Sequence, residues 1–131
     1  MPDETYPVSV SAGTLRADDP LFVSPHRWTE GGVSVVGRFT GAHLLHVAVG
    51  GCVLNDVYRE ADATGLDVLG VLVHVSGGFD PATWASTGIA YRVQVDAAAS
   101  DAEVAALLDR VEAVAEIPKA LAAGAAVRRD R

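Results

Sequence analysis

The chain holds one cysteine, Cys52, followed three and four residues later by Asn55 and Asp56. On a helix that spacing sets a thiol, an amide and a carboxylate along one face. A thiolate is a nucleophile, and a carboxylate beside it can take or return a proton. A bland reading stands next to this one. A free cysteine is often only a small buried hydrophobe, and Asn55 with Asp56 can be a structural polar network. The surrounding stretch is apolar, so Asp56 needs a cation to stay ionised, or else desolvation keeps it protonated. Arg38, Arg59 or a histidine are the candidate partners.

Further side chains qualify as site candidates. Arg38, on the strand leading into the cysteine-bearing segment, is a candidate cation for the site. Arg27, in His26-Arg27-Trp28, is the alternative, and both could equally be solvated arginines. Trp28, with Phe22 and Trp84, could wall an apolar pocket or simply plug the core. His43 and His46 are spaced i, i+3 and could share a metal, but no third ligand has a characteristic spacing. No metal and no cofactor is therefore expected. His43 is placed at a pocket mouth, as a substrate-binding candidate with Asn55, Arg27 and Trp28. His46 is expected to be a core or interface histidine. Gly50-Gly51 falls inside a helical pattern, so it is not a phosphate loop; close helix–helix approach is the expected reason for it.

The elements that must position these groups follow from pattern. Residues 6–16 alternate, with Tyr6, Val8, Val10 and Ala12 on one face, and predict a strand. Turn signals fill 17–32, around a short extended piece at 21–23. Residues 33–39 predict a second strand with Val33, Val35 and Phe39 on one side. The longest helical pattern runs over 41–63, with Thr40 as N-cap and Gly65 as a left-handed end. It is apolar on all sides from Leu44 to Leu54, which predicts a buried central helix. Residues 66–75 and 88–96 predict a strand hairpin across the Ser76-Gly77-Gly78 and Asp80-Pro81 turns, with Ile89, Tyr91, Val93 and Val95 inward. Ser100-Asp101-Ala102-Glu103 is a capping box for a further helix. A short helical turn is expected around Pro118 through Leu121, then a last short strand over 125–128 and a frayed basic tail.

Composition narrows the function classes. With 131 residues, a single domain over 1–131 is expected. Ten basic against seventeen acidic side chains give a net charge of −7, which argues against a duplex nucleic-acid binder and a polybasic membrane-surface protein. No run of about 18 apolar residues exists to span a membrane, and Met1-Pro2-Asp3-Glu4 has no signal-peptide apolar region. A cytoplasmic protein with Cys52 kept as a thiol is expected.

The order strand, strand, long apolar helix with a cysteine, hairpin, helix, short helix resembles the OsmC/Ohr family of osmotically inducible and organic-hydroperoxide-resistance proteins. The matching residues are Thr40-Gly41-Ala42-His43-Leu44-Leu45, then Ala48, Gly50, Gly51 and Cys52, and later Ala115-Glu116-Ile117-Pro118 followed by Lys119-Ala120-Leu121. The resemblance extends over roughly 33–128. It implies an α+β fold, with antiparallel sheets wrapped around a long central helix in an intertwined homodimer. It also implies a thiol peroxidase, in which Cys52 attacks an organic hydroperoxide and becomes a sulfenic acid. In the family an arginine lowers the thiol pKa, a glutamate orients that arginine, and a second cysteine resolves the sulfenic acid. Here Ala42 stands at the glutamate position and Ala115 at the second cysteine. The expected activity is therefore a weak, one-cysteine hydroperoxide reduction that needs an external thiol reductant, with Cys52, Arg38 and Asp56 as catalytic candidates. The alternatives are acid/base catalysis on a small apolar substrate in a dimer-interface pocket, or a non-catalytic small-molecule-binding dimer.

Overall fold

A computed structural model describes residues 4–130; the first three residues of the acidic start and Arg131 lie outside the described residues. The elements are β1 (Val8–Gly13), β2 (Phe22–Ser24), β3 (Val33–Val36), α1 (Gly41–Thr64), β4 (Val68–Phe79), β5 (Ser86–Ala97), α2 (Asp101–Val114) and α3 (Glu116–Ala123). The five strands form one antiparallel sheet in the order β2-β3-β1-β4-β5.

Alternation and register together build the inner face of this sheet. Paired residues on neighbouring strands share a face, so Val35, Val10, Val73 and Val93 form one row. Val8, Val75 and Tyr91 form the next, and Val33, Ala12, Val71 and Val95 a third. Rows of β-branched side chains suit a pleated, half-buried surface. Helix α1 lies on these rows through Val49, Val53, Leu54 and Val57, which are buried with them in the core. Helices α2 and α3 pack against α1 and add Leu107, Val111 and Ala115 to the buried set.

The caps behave as their residue types dictate. The Thr40 side chain accepts a hydrogen bond from the His43 N–H at 3.2 Å, and Gly65 closes α1 at φ 74°, where a side chain would be strained. Ser100 and Glu103 form the reciprocal capping box of α2.

Several expectations need correcting. Among the described residues of one chain, a single antiparallel sheet lies against one side of α1. Within the chain α1 is not buried all round: Gly41 and Ala48 are exposed, and Leu44, Leu45, Val47, Gly51 and Cys52 are half-buried. The first strand starts at Val8, and the third ends at Val36, because Gly37 at φ 154° turns the chain away from the sheet. Phe39 therefore does not face inward and is 74% exposed. The hairpin strands run longer than alternation indicated, to Phe79 and from Ser86. Residues 125–128 are not a strand.

Gly50 also has a different reason from the expected one. It faces the sheet, not a second helix. A Cβ there would sit 2.9 Å from Val10 Cγ2 and 3.1 Å from Val75 Cγ2. The missing side chain lets α1 settle onto the valine rows. Gly50→Val should accordingly overpack this contact and destabilise the fold by about 1–3 kcal/mol, read as a lowered midpoint in urea or thermal unfolding. An unchanged midpoint would show that the helix–sheet spacing is slack.

Candidate functional site

Helix α1 presents Cys52, Asn55, Asp56 and Arg59 at i, i+3, i+4 and i+7, a stripe along one face. The start of α3 crosses this stripe. Sequence distance conceals the contact: Glu116, the first residue of α3, brings a carboxylate to Cys52 and Asp56, and the donor atoms of all three lie within 4.8 Å of one another. Cys52 is half-buried, Asp56 is buried and Glu116 is exposed. Tyr91, from the inner face of β5, is close enough for the Cys52 charge to act on its phenol.

The electrostatics oppose ionisation of the thiol. Burial pushes the Cys52 pKa above the ordinary thiol range, and the charges of Asp56 and Glu116 add to that. The backbone N–H groups of Ile117 and Glu116, at the start of α3, pull in the other direction but do not win. Among the described residues, no arginine is among the groups acting on the thiol.

Asp56 is the most buried charged group of the site. Its side chain is 1% exposed, and Arg59 Nη2 stands 3.2 Å from Oδ2. That approach is out of line for a hydrogen bond, and Oδ2 receives none. Asn55 Nδ2 donates to Asp56 Oδ1 at 3.4 Å, and His26 Nε2 donates to Asn55 Oδ1 at 3.3 Å. A polar chain thus runs from His26 through Asn55 to Asp56. Burial raises the Asp56 pKa, and the Asn55 hydrogen bond and Arg59 charge offset only part of that rise.

The remaining candidates are elsewhere. Arg38 is exposed in the loop before α1. Arg27 is exposed, with its guanidinium 5.0 Å from the Trp28 ring centre. Trp28 packs on the core and lines a separate open cleft with Arg16, Glu30 and Tyr58. His43 lies nine residues before Cys52, about 13.5 Å along the helix axis. It is buried against Tyr6 and held at the helix start by Thr40. His46 is fully buried, and its Nδ1 donates to the Tyr6 carbonyl at 2.8 Å. The two histidines anchor the segment before β1, and among the described residues they are not part of the Cys52–Asp56–Glu116 group. The residues that sequence reasoning missed are Glu116, His26 and Tyr91. The signal for Glu116 was the position of Ala115, where the resemblance places a second cysteine that must reach Cys52.

A family model described as "OsmC-like protein" matches residues 34–128, most of the chain's length. The chain belongs to the OsmC-like protein family. No curated protein and no solved structure matches it. For this OsmC-like chain, the matched segment runs from within β3 past the end of α3 and contains every residue of the Cys52 group. Ala115, where the resemblance places a second cysteine, is buried immediately before Glu116, and Cys52 is the sole thiol.

The raised Asp56 pKa makes a statement about stability. A carboxyl whose folded pKa exceeds its unfolded value loses stabilising influence as pH rises from the unfolded pKa towards the folded one, and when ionised it works against folding. The half-open position of Arg59, whose side chain is 42% exposed, weakens the ion pair that would counter this. Asp56→Asn should therefore melt at or above the parent temperature at neutral pH, and the difference should close below about pH 4. Melting curves across that range check it. A variant several degrees less stable at pH 7 would mean that the Arg59 pair outweighs desolvation.

Proposed function

We propose that this OsmC-like protein is a slow, one-cysteine thiol peroxidase in which a carboxylate, and not an arginine, manages the thiol proton. The observation that carries the reading is the placement of the buried Asp56 carboxylate one helical turn from the half-buried Cys52. A carboxylate with a raised pKa is a better base than an exposed one. As the sulfur attacks the outer oxygen of a hydroperoxide, Asp56 takes the thiol proton. The O–O bond breaks, sulfur keeps the transferred oxygen as a sulfenic acid, and Asp56 returns the proton to the departing alkoxide, which leaves as an alcohol. A first external thiol then condenses with the sulfenic acid, releasing water. A second displaces Cys52 as a free thiol and leaves with the first as a disulfide. Without a cation beside the sulfur, the thiol stays protonated near neutrality, which sets the rate low and makes it climb with pH.

A second reading has its own support in the His26–Asn55–Asp56 chain. Such a chain would orient Asp56 for proton exchange with a small apolar substrate without redox chemistry. Both readings keep the site at a subunit boundary in a cytoplasmic homodimer. The half-open flank of α1 around Leu44, Leu45 and Gly51 supports that assembly, as do the exposed Phe39 and Trp84, because apolar surface left open on one chain is commonly covered by another. Sedimentation at low micromolar concentration should give the mass of two chains; a folded monomer would remove the interface from the proposal.

The catalytic test is consumption of cumene hydroperoxide with a dithiol reductant. Slow turnover rising with pH, lost in Cys52→Ser and reduced in Asp56→Asn, is the expected result. Turnover unaffected by Asp56→Asn would take the proton transfer away from this carboxylate. A Cys52 that forms no sulfenic acid at any pH would favour the non-redox reading.

A further inference from the structure

The outer face of the sheet, turned away from α1, carries a basic pair in a chain whose net charge is −7. Strand register puts Val36, Ser9, His74 and Arg92 in one row across β3, β1, β4 and β5. Ser9 Oγ and His74 Nδ1 are 2.7 Å apart, and His74 and Arg92 are exposed. The row lines an open hollow of about 520 Å³, together with Pro7, Ser76 and Ala90. Val8 and Val75 also border it, but their side chains are buried in the core beneath α1, so the hollow opens on the outer side. Small side chains at Ser9, Ser76 and Ala90, beside the longer His74 and Arg92, leave the depression. Among the described residues Arg92 has no carboxylate partner. The acidic side chain on the outer rows of these strands is Asp96, two rows further along β5, and it is occupied by the Thr14 hydroxyl at 2.6 Å. We propose that this hollow binds a small phosphate monoester, with Arg92 and His74 holding the phosphate.

The donors suit that group. Arg92 offers a planar fork that matches two oxygens of one oxyanion. The Ser9 hydroxyl donates to His74 Nδ1, which leaves the neutral ring with its hydrogen on Nε2. Among the described residues Nε2 has no hydrogen-bond partner, so it is a further donor beside the guanidinium. Residues directly paired on neighbouring strands, as His74 and Arg92 are, bring their side chains about 5 Å apart, so both reach one phosphate. A carboxylate is used up by the arginine fork alone. A phosphate monoester keeps another oxygen for the Nε2–H, and that decides between the two. The organic part of the ester then lies on Pro7, Val36 and Ala90, the apolar side of the lining, in a space typical of small-molecule sites. Ser9 is a positioning residue, since it acts through His74. The hollow and Cys52 are on opposite faces of the sheet, so this site does not depend on the peroxidase reading.

The test is proton–nitrogen NMR of the full-length protein, following the His74 ring nitrogens and Arg92 Nε during titration with phenyl phosphate. Inorganic phosphate and benzoate are separate arms. The expected result is a saturable shift of both groups with phenyl phosphate, and clearly weaker binding of the other two probes. Arg92→Gln, at an exposed position that leaves the core intact, should weaken phenyl phosphate by about tenfold or more, the scale of a lost hydrogen bond to a charged group. Arg129→Gln makes the same change of net charge in the exposed C-terminal tail and should leave the affinity unchanged. Ser9→Ala should move the free protein's His74 ring nitrogens towards a mixture of tautomers and weaken binding, and Ser9→Thr should restore both. Absence of a saturable shift with phenyl phosphate overturns the proposal. So does an affinity unmoved by Arg92→Gln, or one weakened equally by Arg129→Gln, which would be diffuse charge. Benzoate binding as tightly as phenyl phosphate would overturn the choice of phosphate, and inorganic phosphate doing so would overturn the ester. Ring nitrogens unmoved by Ser9→Ala would remove Ser9 from the site.

Discussion

The close seating of α1 on the valine rows of the sheet is the contact on which the rest depends. Val49, Val53, Leu54 and Val57 are removed from water only because the helix lies flat on β1 and β4, and Gly50 permits that by offering no Cβ where Val10 and Val75 come up to meet it. Once that face is fixed, the helix has no rotational freedom. The stripe carrying Cys52, Asn55, Asp56 and Arg59 is then forced away from the sheet's centre and towards α2 and α3. The site follows from packing: a helix that must bury one face must present another.

What α3 brings to that stripe decides the character of the thiol. Its first backbone N–H groups favour a thiolate, but its first side chain is a glutamate, and Asp56 stands on the other side. Burial and two carboxylates outweigh the amides, so the sulfur is held as a thiol. The OsmC-like frame is thus retained around an electrostatic setting opposite to an arginine-activated cysteine. Negative charge gathered at a sulfur is poor for making a free nucleophile.

Much of the frame was legible in the sequence because local rules govern it. Thr40 and Gly65 bound α1, Ser100 and Glu103 start α2, and the alternation of Ile89, Tyr91, Val93 and Val95 marks an inward face. Failures came where a neighbour overrules local pattern. Phe39 continues the alternation of β3, yet Gly37 turns the chain out of the sheet first. Residues 125–128 pair with no strand of the sheet and stay irregular.

The sequence by itself determined the elements, the single thiol and the Asn55-Asp56 pair one turn beyond it, since helical periodicity acts over a few residues. It also indicated that a buried Asp56 would want a cation, and Arg59, one turn further on, is within that local reach. Only the tertiary structure decided what else surrounds the cysteine. Arg38 and His43 are nearer to Cys52 in sequence, but the loop before α1 leaves Arg38 in solvent, and 1.5 Å of rise per residue carries His43 out of reach. Glu116 lies 64 positions away and Tyr91 on another element altogether. No local rule relates such residues: their meeting is set by how α3 folds back over α1, which depends on the long-range burial of Leu107, Val111 and Ala115.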